Sequence, residues 1–107
     1  MKHKYSILQL THYEDSIIRN KMYLSWNCIK DLTGFKGFLL ADYDKVYEGS
    51  IEGDNNIAML EELFEIFNIR HPEDFHGHSL STSDVVILDN TIWYCDSIGW
   101  KEIGKVN

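Results

Sequence analysis

The sequence predicts an α+β domain in which one principal amphipathic helix packs on a small mixed or antiparallel sheet ending in a C-terminal β-hairpin. Three observations carry this. Residues 56–67 repeat apolar side chains at helical spacing; Val85-Val86-Ile87-Leu88 is a short, continuous β-prone run; and Asp89-Asn90 separates that run from a second β-rich stretch at 91–95.

The elements follow in chain order. Lys4 to Thr11 is rich in β-formers and predicts a strand, although the Ile7-Leu8 pair breaks strict alternation. From Glu14 to Leu32 the apolar positions Ile17, Ile18, Met22, Leu24, Trp26, Ile29 and Leu32 keep no single period. Within this stretch Ser25 is placed to cap a short helix through Trp26, Ile29 and Leu32. Gly34 would stop that helix, and Gly34 and Gly37 would bracket Phe35 in a turn. Tyr43 to Ile51 alternates as a strand and runs into the turn residues Gly53-Asp54-Asn55. The clearest helix spans Asn56 to Phe67, with Ile57, Leu60, Leu63, Phe64 and Phe67 toward the core and Glu61, Glu62 and Glu65 toward solvent. His71-Pro72 forbids its continuation, because the residue before a proline is pushed out of the helical region. A loop from Asn68 to His78 leads to the hairpin, and Ile98 to Ile103 adds a third strand or a closing segment.

At 107 residues the chain fits one domain, residues 1–107, with one core. The Met1–Leu10 stretch has no small-residue cleavage site, which excludes a typical signal peptide, and no apolar run approaches the ~20 residues that span a bilayer. The expectation is a cytoplasmic protein with no membrane partner. Cys28 and Cys95 are far apart with no Cys-x-x-Cys spacing, so buried free thiols are expected rather than a disulfide or a structural zinc site.

The formal net charge of −7 is unevenly distributed. Residues 1–36 carry Lys2, Lys4, Arg19, Lys21, Lys30 and Lys36 against Glu14, Asp15 and Asp31, whereas Asp42 to Glu65 holds eight acids against Lys45 alone. Such a surface repels phosphate backbones and attracts basic partners, so direct nucleic-acid binding is not expected.

Chemistry-bearing residues are densest at His71-Pro72-Glu73-Asp74-Phe75-His76-Gly77-His78-Ser79, with three imidazoles and two carboxylates. Histidine and carboxylate are the usual ligands of zinc and other divalent ions, but no fixed helical spacing presents His71, His76 and His78 together and no cysteine is near. A hydrogen-bonded loop is the plainer reading. Ser79, Ser81, Ser83 and Asp84 lie close to His76 and His78 but lack a nucleophile elbow, and serine and aspartate just before a strand ordinarily cap turns. Cys95 beside Asp96 makes a poor nucleophile, since a neighbouring negative charge raises a thiol pKa. Trp93 and Tyr94 are adjacent on a strand and point to opposite faces, which makes one of them a candidate exposed anchor.

Four blocks in the second half carry a resemblance. They are Tyr43-Asp44-Lys45-Val46-Tyr47-Glu48-Gly49, then Glu61-Glu62-Leu63-Phe64-Glu65-Ile66-Phe67-Asn68, then His71 through Val86, and finally Tyr94-Cys95-Asp96-Ser97-Ile98-Gly99-Trp100-Lys101-Glu102-Ile103. In order and spacing they resemble the YodL-like family, whose core would here be about residues 43–103, and Tyr5–Leu10 is similar to the family's opening strand. Trp100 stands where the family often has phenylalanine or tyrosine, a change that keeps the packing. Residues 11–42 lie outside these blocks and form a variable segment. The resemblance implies a module of conjugative elements, plasmids and phages of Firmicutes, with no established enzymatic activity and no catalytic residue to carry over.

Together these readings give the expectation of a non-enzymatic protein-binding module of a mobile genetic element that inhibits or modulates a host protein, anti-CRISPR or other anti-defence action included. The expected partner is a host protein, a basic nucleic-acid-binding one among the candidates. Glu61, Glu62 and Glu65 would supply electrostatic contacts, and His76, His78 and Trp100 would be surface determinants. No catalytic residue, cofactor or metal ligand is assigned, and the chain would be a monomer or weak homodimer. Two alternatives stand beside it: a metal-dependent hydrolase or nucleic-acid-modifying activity built on His71, His76 and His78, and a structural accessory domain of a conjugation complex.

Overall fold

The computed structural model describes residues 1–33 and 36–106. Five strands, β1 (Lys2–Gln9), β2 (Asp44–Glu52), β3 (Val85–Leu88), β4 (Thr91–Cys95) and β5 (Trp100–Lys105), form one sheet in the order β2-β1-β3-β4-β5. Every neighbouring pair is antiparallel. The helices are α1 (Ser16–Lys21), α2 (Trp26–Lys30) and α3 (Asn56–Ile69), with a 3-10 turn at Leu40–Asp42. The expected α+β class, principal helix and C-terminal hairpin are all present. None of the helices described is long and apolar enough to cross a membrane.

Both faces of the sheet are covered, and this decides most of the packing. Tyr5 and Ile7 of β1, Val86 and Leu88 of β3, and Trp93 of β4 pack against Met59, Leu60, Leu63 and Phe67 of α3, joined by Phe75 and Leu80 from the loop after it. On the other face Val85, Ile92 and Tyr94 meet Ile18 of α1, Ile29 of α2 and Tyr43. The Ile7-Leu8 pair is therefore ordinary alternation in a strand with a covered face on each side. The irregularity lies on β2: Ile7 pairs with Tyr47 and Leu8 with Lys45, leaving Val46 as the extra residue of a bulge. Trp93 and Tyr94 do point to opposite faces, but both are buried, so the expectation that one is exposed does not hold. Trp26 and Phe38 close over Tyr94 at ring-centroid distances of 5.1 and 5.9 Å.

The caps follow from the sequence. Ser25 Oγ accepts from the Cys28 N–H, as its position predicts, although α2 ends at Lys30 and leaves Leu32 exposed. The stop at Gly34 and the turn around Phe35 lie outside the described residues. Asp15 caps α1 by accepting from the N–H of Ile17 and Ile18, and Asn55 caps α3 by accepting from Ala58.

Helix α3 is rotated relative to the expectation. Met59 joins Leu60, Leu63 and Phe67 in the buried seam, whereas Ile57 and Phe64 are exposed at its margins. Met59 packs beside Gly53, where an added Cβ would lie 2.6 Å from Met59 Cγ, so the turn before the helix sets which side faces the sheet. Two further residues differ from expectation. Cys28 is exposed because its neighbour Ile29 takes the inward face of the short α2. Lys21, counted above with the surface bases, is buried, and its Nζ lies 2.6 Å from Asp42 Oδ2.

Candidate functional site

The two acidic and aromatic residues assigned to the surface from sequence, Glu61 and Trp100, come together. They line a cleft of ≈ 180 Å³ between α3 and the β4–β5 turn, with Phe64, Thr82, Cys95, Asp96, Ser97 and Gly99. The turn closes through the Asp96 N–H, which donates to the Gly99 carbonyl at 3.0 Å. Gly99 has φ 73° and is open to solvent, a left-handed position that favours glycine. The turn thrusts Ile98 out of the fold with 93% of its surface exposed, and Phe64 across the cleft on α3 is exposed as well.

Asp96 is held in place by its neighbours. Its Oδ1 accepts from the Trp26 N–H at 3.0 Å and the Ser97 N–H at 2.8 Å, while Oδ2 has no hydrogen-bond partner among the described residues. Trp100 is half-buried: it packs against the α3-side core and also lines the cleft. Glu61, Glu62 and Glu65 are exposed and, among the described residues, have no ion-pair partner. Glu62 and Glu65 extend the acidic surface along α3 outside the cleft. Phe64 and Asp96 are members that sequence reasoning missed. Phe64 reads as core from its spacing, and nothing local tells that the β4–β5 turn returns to α3.

The histidines occupy a different place. His76 and His78 line a separate concavity with Gln9, Thr11, Tyr13, Val46 and Gly77. His76 is exposed, but His78 is largely committed to the fold: its Nδ1 is 2.8 Å from the Ser79 carbonyl, and its side chain keeps 24% exposure. Behind it the buried Gln9 amide donates to the His78 carbonyl at 2.8 Å and to Asp84 Oδ2 at 3.1 Å, and its Oε1 accepts from the His78 N–H. His78 Nε2 is buried without a hydrogen-bond partner, 3.7 Å from Asp84 Oδ1. Burial pushes the Asp84 carboxyl up to about 8, against the N–H donors from Ser81 and Gln9 that hold it down. Burial therefore favours the neutral carboxyl. His71 turns to the Pro72 carbonyl and packs on Phe75. Among the described residues no three His, Cys, Asp or Glu side chains converge as metal ligands would.

Before β3 it is Asp84 that satisfies the local turn, while Ser83 reaches a remote segment of the chain. The Ser81 N–H donates to Asp84 at 2.8 Å, and Ser83 Oγ accepts from the Tyr23 N–H at 2.9 Å. Both Tyr23 and Ser83 are in the left-handed region, with φ 66° and 83°, and Tyr43 donates its hydroxyl to the Ser83 carbonyl at 2.6 Å. Burial pushes the Cys95 thiol up to about 12, with the nearby Asp84, Glu61 and Asp96 adding to it, so this cysteine is a core residue and not an activated nucleophile.

The fold and the cleft thus define a small antiparallel α+β domain whose acidic helix and hairpin turn frame one aromatic recess. The chain belongs to the YodL-like family: the model of the YodL-like domain matches residues 4–106, taking in β1 and residues 11–42 as well as the blocks of the second half. No curated protein and no solved structure gives a significant match.

Proposed function

We propose that this domain is a non-enzymatic protein-binding module of a mobile genetic element that inhibits or modulates a basic host protein. The observation that carries the reading is the shared cleft of Glu61 and Trp100, flanked by the exposed Phe64 and Ile98 and by the unpaired carboxylates of Glu62 and Glu65. Aromatic anchors enclosed by charge are the usual composition of a protein interface centre and its rim. The mobile-element context comes from the family resemblance, and anti-defence action, anti-CRISPR included, is the form of host modulation it favours.

The test is affinity purification of the tagged protein from its natural type of host cell, with mass spectrometry of what survives a moderate salt wash. One dominant stoichiometric partner is the expected result. Reversing Glu61, Glu62 and Glu65 to lysine should slow its association, with the difference shrinking as salt is raised, because rim charges act mainly on the encounter rate. Recovery of no partner, or catalytic turnover of a recovered one at substoichiometric amounts, refutes the proposal.

A further inference from the structure

Resting on that reading, we infer that the cleft between α3 and the β4–β5 turn receives one arginine side chain of the partner protein. Its volume of ≈ 180 Å³ is below the ~300 Å³ at which pockets for whole small ligands begin, and suits a single long side chain. The lining specifies the chemistry of that side chain. Glu61 and Asp96 are two acidic residues of the lining, and neither lysine nor arginine lines the recess. Lys101 pairs in register with Tyr94, whose ring is in the core on the opposite face of the sheet, so Lys101 does not neutralise the cleft.

An anion is excluded by the two carboxylates. A purely aliphatic side chain would leave the acidic part of the lining without a counter-charge. A cation with an apolar stem satisfies both requirements, since its methylenes lie along Phe64 and Trp100 while its head reaches the carboxylates. Arginine fits better than lysine: a planar guanidinium stacks on an indole face and spreads five N–H donors over several acceptors, here Glu61, Asp96 and the Thr82 hydroxyl. Ile98, fully outside the fold next to the recess, then meets the partner's flanking backbone and side chains.

Two capped peptides, Gly-Gly-Arg-Gly-Gly and its isosteric neutral citrulline counterpart, are titrated into the protein while the Trp100 indole N–H and the Gly99 amide are followed by NMR. The arginine peptide is expected to shift both signals with an affinity of roughly millimolar, as one side chain permits, and the citrulline peptide to bind at least about fivefold more weakly. Glu61→Gln should weaken the arginine peptide severalfold. Trp100→Phe, which keeps an aromatic on the core, should weaken it as well with the fold intact by its amide spectrum. Equal binding of the citrulline peptide, absence of shifts at the cleft, or full affinity in Glu61→Gln overturns the inference. These outcomes are independent of partner capture: a partner recovered from cells while the arginine peptide fails leaves the binding function standing and removes only the arginine.

Discussion

Replacing Asp84 by asparagine should abolish a specific pH dependence of stability. The carboxyl is buried beside β3, accepts from the Ser81 N–H and the Gln9 amide, and faces the orphaned His78 Nε2 at 3.7 Å. Burial raises its pKa from the usual 3.8 to about 8. Between those two values the native state holds a proton that the unfolded chain has released, so stability falls as pH rises, by up to about 1.4 kcal/mol per unit for one group. This contribution is fully present below the unfolded pKa and is lost as pH passes the folded one. From pH 5.5 to 7.5 the wild type should lose roughly 2 kcal/mol through this group alone. Asparagine keeps the acceptor oxygen, offers an N–H to His78 Nε2 and carries no titrating proton. Denaturant unfolding followed by tryptophan fluorescence, run for both proteins across that range, isolates the effect as the difference between the two curves. The difference should grow in favour of Asp84→Asn by roughly 2 kcal/mol. A difference that stays flat with pH would show that Asp84 is ionised in the fold, and that the reading of a neutral carboxyl against His78 is wrong.

Two further predictions concern close approaches and thiols. A Cβ at Gly77 would lie 2.4 Å from Gln9 Oε1 and 2.9 Å from Phe75 Cζ, and the Gln9 amide is held by its hydrogen bonds to His78 and Asp84. Gly77→Ala should therefore cost about 1–3 kcal/mol in denaturant unfolding, whereas Gly53→Ala, which meets only the unbranched and adaptable Met59 side chain at Cγ and Sδ, should stay within about 1 kcal/mol of wild type; equal costs would contradict the assignment. An aromatic disulfide reagent should titrate Cys28 alone in the native protein and both thiols in denaturant, since Cys95 is buried with its pKa pushed up to about 12. Rapid modification of Cys95 at neutral pH would mean that the strand end opens readily.

The residues that announce themselves locally were legible in the sequence. Turn and cap chemistry is written in side chains a few positions apart, so Ser25, Asn55 and Asp89-Asn90 mark their elements where they stand. The helix α1 was not legible, because six residues between stretches of uneven periodicity give no face to recognise; its stability comes from Ile18 packing on the second core. The burial of Lys21 was equally hidden, since Asp42, its partner, is remote in sequence.

The candidate site divides along the same line. Sequence alone determined that α3 carries an acidic stripe toward solvent, that both thiols lack a disulfide spacing, and that the second half carries the family's blocks. Tertiary structure alone decided that Trp93 and Tyr94 are both inside, because a second layer covers the far face of the sheet. It also decided that Glu61 and Phe64 share a recess with Asp96 and Trp100, while His76 and His78 belong to another. The physical reason is that periodicity reports which residues share one face of one element. Which elements meet is settled by strand order and by the rotation of α3 against the sheet, both of which depend on packing between segments far apart in the chain.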